Sequence, residues 1–165
     1  SPGASGVALA EVYDAGTNQS TDTARFGNVS ARGPSAGLDN PLICGFVIGG
    51  TAPKRLLVRG IGPGLLNYGV TDALSDSIVG VYVVKGHLIA PNDNWVTPRT
   101  VDSSQPAVDA ATLSDATATV GTFTLDPASK DSAVIVTLPP GLYTVQVGGA
   151  NGVTGSALAE VYELP

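Results

Sequence analysis

Residues 155–163 read GSALAEVYE and residues 6–14 read GVALAEVYD, so nearly the same stretch stands close to both ends of the chain. Apolar and larger side chains alternate in it with a period of two, which is typical of a β-strand. Each copy places two alanines and a valine on one face, and a leucine, a glutamate and a tyrosine on the other. The stretch therefore predicts a β-strand near the C-terminus and a second copy of it near the N-terminus.

The similarity extends beyond this stretch, which makes the duplication an internal repeat. GASGVALAEVYD and GVTGSALAEVYE share 8 of 12 residues, and the two copies are 149 residues apart. Repetition at a fixed period is the signature of repeat arrays. Three placements of the first copy are open: beside the second copy at the edge of its own sheet, as a remnant of a preceding repeat, or in the sheet of a neighbouring molecule.

We favour the third placement, which is strand donation. Main-chain hydrogen bonds then supply the affinity and alternate side chains set the register. A head-to-tail contact does not close on itself, so it propagates as a filament. We predict a donor strand in residues 1–16, tethered by the polar stretch DAGTNQSTDT (14–23) to a β-sandwich domain in residues 17–165. The predicted assembly residues are Val7, Ala8, Leu9, Ala10, Glu11, Val12 and Tyr13.

The rest of the chain repeats the strand pattern. Short alternating or apolar runs are separated by Gly, Pro, Asn and Asp, and Gly86 marks a hairpin turn. We predict an all-β fold, an antiparallel β-sandwich or jelly roll of about ten short strands. PLICGFVIGG (41–50) is a continuous apolar run, so we expect it to be buried on both faces. The ten candidate strands are residues 8–13, 23–33, 41–50, 54–62, 77–84, 87–90, 117–125, 132–138, 142–149 and 156–164.

Composition excludes several classes of function. The net charge is −6, which argues against nucleic-acid binding. No run of about 18 apolar residues is present, so we expect no membrane span. Charged residues make up only 13% of the chain and there is a single cysteine, which fits an extracellular, cell-surface bacterial protein without disulfides.

Residues 91–116 form a polar stretch that we expect to be a long loop with one short helical turn near residues 107–113. Long loops in compact domains often carry function, so this is the candidate ligand loop. Trp95 is expected to pack under the loop, and stacking on a sugar ring is the alternative. The candidate ligand residues are Asn92, Asp93, Asn94 and Trp95.

Calcium is the one metal that this loop suggests. Asp93 and Asp102 are candidate ligands, because Ca²⁺ is bound by clustered carboxylate, amide and carbonyl oxygens. Side chains that cap their own backbone in Asx turns explain the same residues without a metal. We therefore predict no firm metal site and no required cofactor.

Catalysis has little support in the sequence. Cys44 lies in the apolar run LICGFVIGG and is expected to be a small buried side chain. His87 is the only histidine and stands beside the hairpin glycine, so a Ser–His–Asp arrangement is not expected. Arg55 and Arg59 are expected to pair with acidic side chains on an adjacent strand. We predict a non-enzymatic protein.

Five ordered blocks of the sequence also resemble a known type of protein. The blocks are GFVIGGTAPKRLLVRGIGPGL (45–65), YGVTDAL (68–74), GHLIAPNDNW (86–95), DSAVIVTLPPGLYTVQVGG (131–149) and GSALAEVYEL (155–164). They resemble the β-rich repeat unit of very large secreted or surface proteins of environmental bacteria. LPPGLYTVQV is more weakly similar to bacterial pre-peptidase C-terminal-type sandwich domains. The resemblance implies an extracellular β-sandwich and carries no catalytic residues over.

Together these observations predict a structural module that assembles with copies of itself or with neighbouring repeats into a surface array or filament. The alternative is a carbohydrate- or calcium-dependent adhesive module whose loop 91–116 binds glycans.

Overall fold

A computed structural model describes residues 6, 8–13, 26–83, 86–100 and 102–165. These residues form eight β-strands, one α-helix and two short 3₁₀ turns at Pro63–Tyr68 and Ala150–Gly152. The fold class is all-β. The elements are β1 (Asn28–Ala36), β2 (Leu42–Ile48), β3 (Lys54–Ile61), β4 (Ser77–Val83), β5 (His87–Asn92), α1 (Ala110–Thr119), β6 (Ser132–Leu138), β7 (Gly141–Gly149) and β8 (Thr154–Glu163).

The strands form two antiparallel sheets of four strands each. Sheet A has the order β1-β8-β3-β6, and sheet B has the order β2-β7-β4-β5. The pairs β1·β8, β2·β7, β3·β6 and β4·β5 are nested along the chain, with the first strand paired to the last and the fourth to the fifth. β8 is thus an interior strand of sheet A, with β1 on one side and β3 on the other.

Two hydrophobic cores lie on the two faces of sheet A. The larger core draws buried side chains from both sheets, which gives a sandwich-like arrangement. The second core joins the other face of sheet A to the helix α1 and the segments around it, and it contains Trp95 and Leu113. Sheet A is therefore covered on both faces.

The central strands and the hairpin follow the alternation in the sequence. Six of the predicted strands match β3 to β8 within one to two residues at most ends. Gly86 has φ 77°, a left-handed conformation that glycine adopts without steric cost, and it turns the chain between β4 and β5. The predicted hairpin is confirmed.

The prediction of a strand at residues 117–125 is wrong, because this stretch contains the end of α1. Asp109 caps the helix, its carboxylate accepting a hydrogen bond from the Thr112 N–H at 2.8 Å. Thr117 and Thr119 donate their hydroxyls to carbonyls one turn earlier, so both hydroxyls are hydrogen-bonded within the helix. The described part of the chain therefore contains eight strands instead of ten, since residues 8–13 also lie in no strand.

The predicted double burial of residues 41–50 is also wrong. β2 is an edge strand that pairs only with β7, and its burial alternates along the strand. Ile43 and Val47 remain 56% and 66% exposed. Among the described residues, no helix covers the outer face of sheet B as α1 covers sheet A, so one face of this apolar run stays exposed.

Candidate assembly site and ligand loop

β8 shows what the duplicated stretch does when it is inside a sheet. Ala157, Ala159 and Val161 point into the core between the sheets and are 4% exposed or less. Leu158 and Tyr162 pack against the second core on the opposite face. The alternation of ALAEVY thus places side chains in two apolar cores. The small side chains lie where the two sheets approach each other, and the larger side chains lie under the helix.

The charged residue of the stretch is buried in β8. Glu160 lies beside the fully buried Arg59 of β3, with Arg59 Nε and Glu160 Oε2 3.1 Å apart. Arg59 Nη1 donates to Thr122 Oγ1 at 3.0 Å and to the Phe123 carbonyl at 2.8 Å. The guanidinium also lies 4.2 Å from the centre of the Phe123 ring.

Burial lowers the pKa of Arg59, and the negative charge of Glu160 opposes that change. The predicted pairing with an acid on the adjacent strand is confirmed for Arg59, whereas the ion pairs among the described residues include none from Arg55. The pair is desolvated inside the fold, with Arg59 0% and Glu160 5% exposed.

The N-terminal copy has the same side chains in a different environment. Residues 8–13 are exposed throughout, with Leu9 83%, Val12 80% and Tyr13 76% exposed. The Tyr13 hydroxyl donates to Glu11 Oε1 at 2.8 Å, and the Tyr162 hydroxyl donates to Glu160 Oε1 at the same distance. The glutamate and the tyrosine are therefore joined by the same hydrogen bond in both copies.

The pKa of the tyrosine is raised in both copies, but the main cause differs. The bond to Glu11 raises the pKa of the exposed Tyr13, whereas burial is the main cause of the raised pKa of Tyr162. Val7 and the predicted tether 14–23 lie outside the described residues. The first of the three placements is not observed, because both sides of β8 are already taken by β1 and β3.

The beginning of β8 is held by contacts that depend on its own sequence. Ser156 donates its hydroxyl to Asp72 Oδ2 at 2.8 Å, and its N–H donates to the Asp72 carbonyl at 2.7 Å. A Cβ atom on Gly155 would lie 2.7 Å from the Asp72 carbonyl oxygen, so glycine is required there. The N-terminal copy keeps the glycine but has Val7 where β8 has Ser156, and a valine cannot donate this hydrogen bond.

The candidate ligand loop is mostly built into the fold. Trp95 is 4% exposed, and its Nε1 donates to the Asp126 carbonyl at 3.0 Å. Asn92 is buried at the end of β5, where its amide donates to the Thr97 carbonyl and accepts from the Ala133 N–H. Both residues therefore have structural roles, and Trp95 presents no face for a sugar ring.

The candidate calcium ligands have different local settings. Asp93 and Asn94 are half-buried beside Trp95, whereas Asp102 forms an Asx turn in which its carboxylate accepts from the Ser104 N–H at 2.9 Å. This hydrogen bond lowers the pKa of Asp102. Among the described residues, no cluster of three or more His, Cys, Asp or Glu side chains has the geometry of a metal site. The calcium site remains a prediction without a geometric counterpart.

A surface cavity of about 220 Å³ lies between the 3₁₀ turn at Pro63–Tyr68 and the segment 123–131. The rings of Tyr68 and Phe123 meet at its side, with their centroids 5.0 Å apart. Asp131 lines the cavity, and its carboxylate accepts hydrogen bonds from the Gly62 and Gly64 N–H groups and from the Ser129 hydroxyl. This carboxylate is used by the fold.

Cys44 faces the core from β2, and burial raises the pKa of its thiol. We expect the native thiol to react with iodoacetamide at least about tenfold more slowly than the thiol of the unfolded chain, because the thiolate is the reactive form. Mass spectrometry after timed labelling, with and without urea, measures the two rates. Equal rates would contradict the burial of Cys44.

Comparison with protein-family models and with curated proteins gives no match for this chain. The resemblance to bacterial surface repeats therefore stays a prediction. Among the described residues, no helix combines the length and the apolar character that crossing a membrane requires.

Proposed function

We propose that this protein is a non-enzymatic structural module of the bacterial cell surface, which assembles head to tail by donating residues 6–14 to another copy. One observation carries the proposal: ALAEVY occurs twice, buried in β8 and fully exposed at residues 8–13. An exposed segment whose side chains alternate as they do in β8 is suited to joining the edge of a sheet.

The nested strand pairs support a finer description of the scaffold. Pairing of β1 with β8, β2 with β7, β3 with β6 and β4 with β5 is the order expected when a long antiparallel ribbon is rolled up. We infer a jelly roll from this order, the arrangement in which eight strands form two packed sheets. Such a scaffold leaves four edge strands, two in each sheet.

The adhesive alternative is not favoured by the loop that suggested it. Its tryptophan is buried and its Asn92 amide is bonded within the fold. We therefore propose neither a glycan nor calcium as a partner, and the proposed partner is a second copy of this chain.

Replacing Ala10 with proline in the full chain tests the donation. Ala10 is exposed, so the fold should tolerate the change, whereas proline removes a donor that a paired strand needs. We expect Ala10→Pro to be monomeric in sedimentation velocity at concentrations where the unmodified chain forms oligomers.

Ala10→Thr is the matched control, since threonine is a good strand former and keeps the N–H. This variant should assemble like the unmodified chain. Equal assembly by the proline and threonine variants would contradict strand donation by this segment.

A further inference from the structure

The four edge strands, β1 and β6 of sheet A and β2 and β5 of sheet B, differ in how well they are protected against pairing with another strand. The edge of β6 is occupied by the Gln105 side chain, which donates to the Thr137 carbonyl and accepts from the Thr137 N–H, both at 2.9 Å. Asn92 accepts from the Ala133 N–H on the same strand. Side-chain amides from the 91–108 segment thus take the place of a neighbouring strand.

The edges of β5 and β1 carry other protective features. Pro91 lies within β5, and the pairing of β5 with β4 shifts in register between Val81 and Tyr82. β1 contains Pro34 and the exposed Arg32. Proline, an edge irregularity and an exposed charge are the features by which sheet edges avoid unwanted partners.

β2 has none of these features. Its sequence LICGFVI contains no proline and no charged residue, and it neighbours β7 on one side only. Among the described residues, no loop or side chain is hydrogen-bonded to the side of β2 that faces away from β7. Ile43 and Val47 remain exposed on its outer face. An apolar, unprotected edge of this kind is a site for pairing with another strand.

We propose that β2 is the acceptor edge, and that its occupant is the segment 8–13 of a second copy. This inference rests on the proposed function and names the surface that the donated strand joins. On the outer face of β2 the side chains read apolar, glycine, apolar at Ile43, Gly45 and Val47.

The donor presents a matching pattern. One face of residues 8–13 reads Leu9, Glu11 and Tyr13, which is apolar, charged, apolar. With Glu11 opposite Gly45, the leucine and the tyrosine lie beside Ile43 and Val47, and the carboxylate stays at the solvent face. Cross-strand apolar pairs of this kind stabilise a sheet, and the glycine leaves the charge unburied.

The other face of the donor segment would lie on the side of β2 that faces the core between the two sheets. Phe46 is half-buried at the rim of the main core, where its ring stacks on Tyr143 with centroids 5.5 Å apart. The donor offers only Ala8, Ala10 and Val12 on this face. Small side chains can extend the core without forcing Phe46 from its position.

The position of β8 is a less accessible acceptor for the same segment. An incoming strand would have to displace β8, which is paired on both sides and has its alanines fully buried. It would also lose the hydrogen bond from Ser156 to Asp72, because the donor carries Val7. The edge of β2 needs no such opening.

Val47→Lys tests the acceptor in the full chain. Val47 is exposed, so the monomer should keep its fold, and a lysine on an edge strand opposes pairing. We expect the apparent dissociation constant for assembly to rise about tenfold, because the lysine removes a cross-strand apolar pair, worth up to about fivefold, and its charge also opposes pairing at the edge. Protection of Cys44 from iodoacetamide checks that the variant is folded.

Leu142→Lys is the matched control. Leu142 lies directly opposite Val47 on the interior strand β7 and is 58% exposed on the same face. Its replacement should leave edge pairing nearly unchanged. Equal loss of assembly in both lysine variants would indicate docking on the sheet face and would overturn the inference.

Mixing the two defective variants gives the decisive result. Ala10→Pro keeps an intact acceptor and Val47→Lys keeps an intact donor, so we expect each to be monomeric alone and the mixture to form a one-to-one dimer that grows no further. Mass photometry or light scattering distinguishes these states.

The failures of the two proposals have different signatures. If Val47→Lys assembles normally while Ala10→Pro does not, strand donation stands and β2 is not the acceptor. If Ala10→Pro assembles and Val47→Lys does not, β2 pairs with itself, and both proposals fail. If the measured mass does not change with concentration, the segment pairs within its own chain, and a second copy is not its partner.

Discussion

Glu160→Gln is expected to lower the free energy of unfolding by about 3–5 kcal/mol, because it leaves a buried charge without its partner. Arg59 is fully buried, and Glu160 is the carboxylate beside its Nε. Glutamine has nearly the same shape, so the loss reports the charge and not a cavity. Urea unfolding of this variant, in an Ala10→Pro background that prevents assembly, measures the change.

The repeat supplies a matched control for this prediction. Glu11 occupies the same place in LAEVY, but it is exposed. Glu11→Gln should change the free energy of unfolding by no more than about 0.5 kcal/mol, as is usual for surface substitutions. Replacing both buried partners, with Arg59→Met and Glu160→Leu together, should recover much of the loss. Equal costs for the two glutamine variants would contradict the buried role of Glu160.

Asp131→Ala is expected to cost about 2–4 kcal/mol, since each buried donor left without an acceptor costs about 1–3 kcal/mol. The Asp131 carboxylate is fully buried and accepts from the Gly62 N–H at 2.8 Å and the Gly64 N–H at 3.2 Å. These bonds hold the turn that follows β3. Urea unfolding gives the total cost.

Hydrogen exchange at Gly62 localises the effect of Asp131→Ala, because the freed N–H should exchange faster than amides in the centre of β3. Asp131→Asn keeps one oxygen acceptor and should cost clearly less. If the alanine and asparagine variants are equally stable, the carboxylate is not what holds the turn.

Much of the fold can be predicted from the alternation of side chains. The sequence predicts β6 and β7 almost residue for residue, because the runs SAVIVTL and LYTVQVGG are bounded by Pro and Gly turns. The stretch TATVGTFTL has the composition of a strand, yet its first residues complete a helix that begins at the Asp109 cap. Capping and an alanine-rich preceding turn outweigh β-propensity there.

Edges are harder to predict, because they depend on the order of strands in the sheet. The run at 41–50 is apolar enough for a buried strand, but its place beside β7 alone makes β2 an edge. The blocking of β6 by Gln105 leaves no signal in the sequence, since it needs two segments 32 residues apart to meet. Periodicity describes one strand at a time and does not give its neighbours.

The candidate site can also be predicted from the sequence only in part. The repeat of ALAEVY is visible in the sequence, whereas the burial of its glutamate beside Arg59 in one copy is not. The loop 91–116 has the composition of a ligand loop, but Asn92 and Trp95 bond to the Ala133 N–H and the Asp126 carbonyl within the fold. Polar residues that support a long loop and polar residues that bind a ligand have the same composition.

The central claim is that residues 6–14 of one molecule pair with another molecule, and the concentration dependence of mass tests it most directly. Sedimentation velocity of the unmodified full chain over a wide range of concentrations should show dimers, then trimers and longer species, with no limiting size, because a head-to-tail contact leaves one donor and one acceptor free. A chain that stays monomeric at every concentration, or that stops at a closed dimer, would contradict the claim.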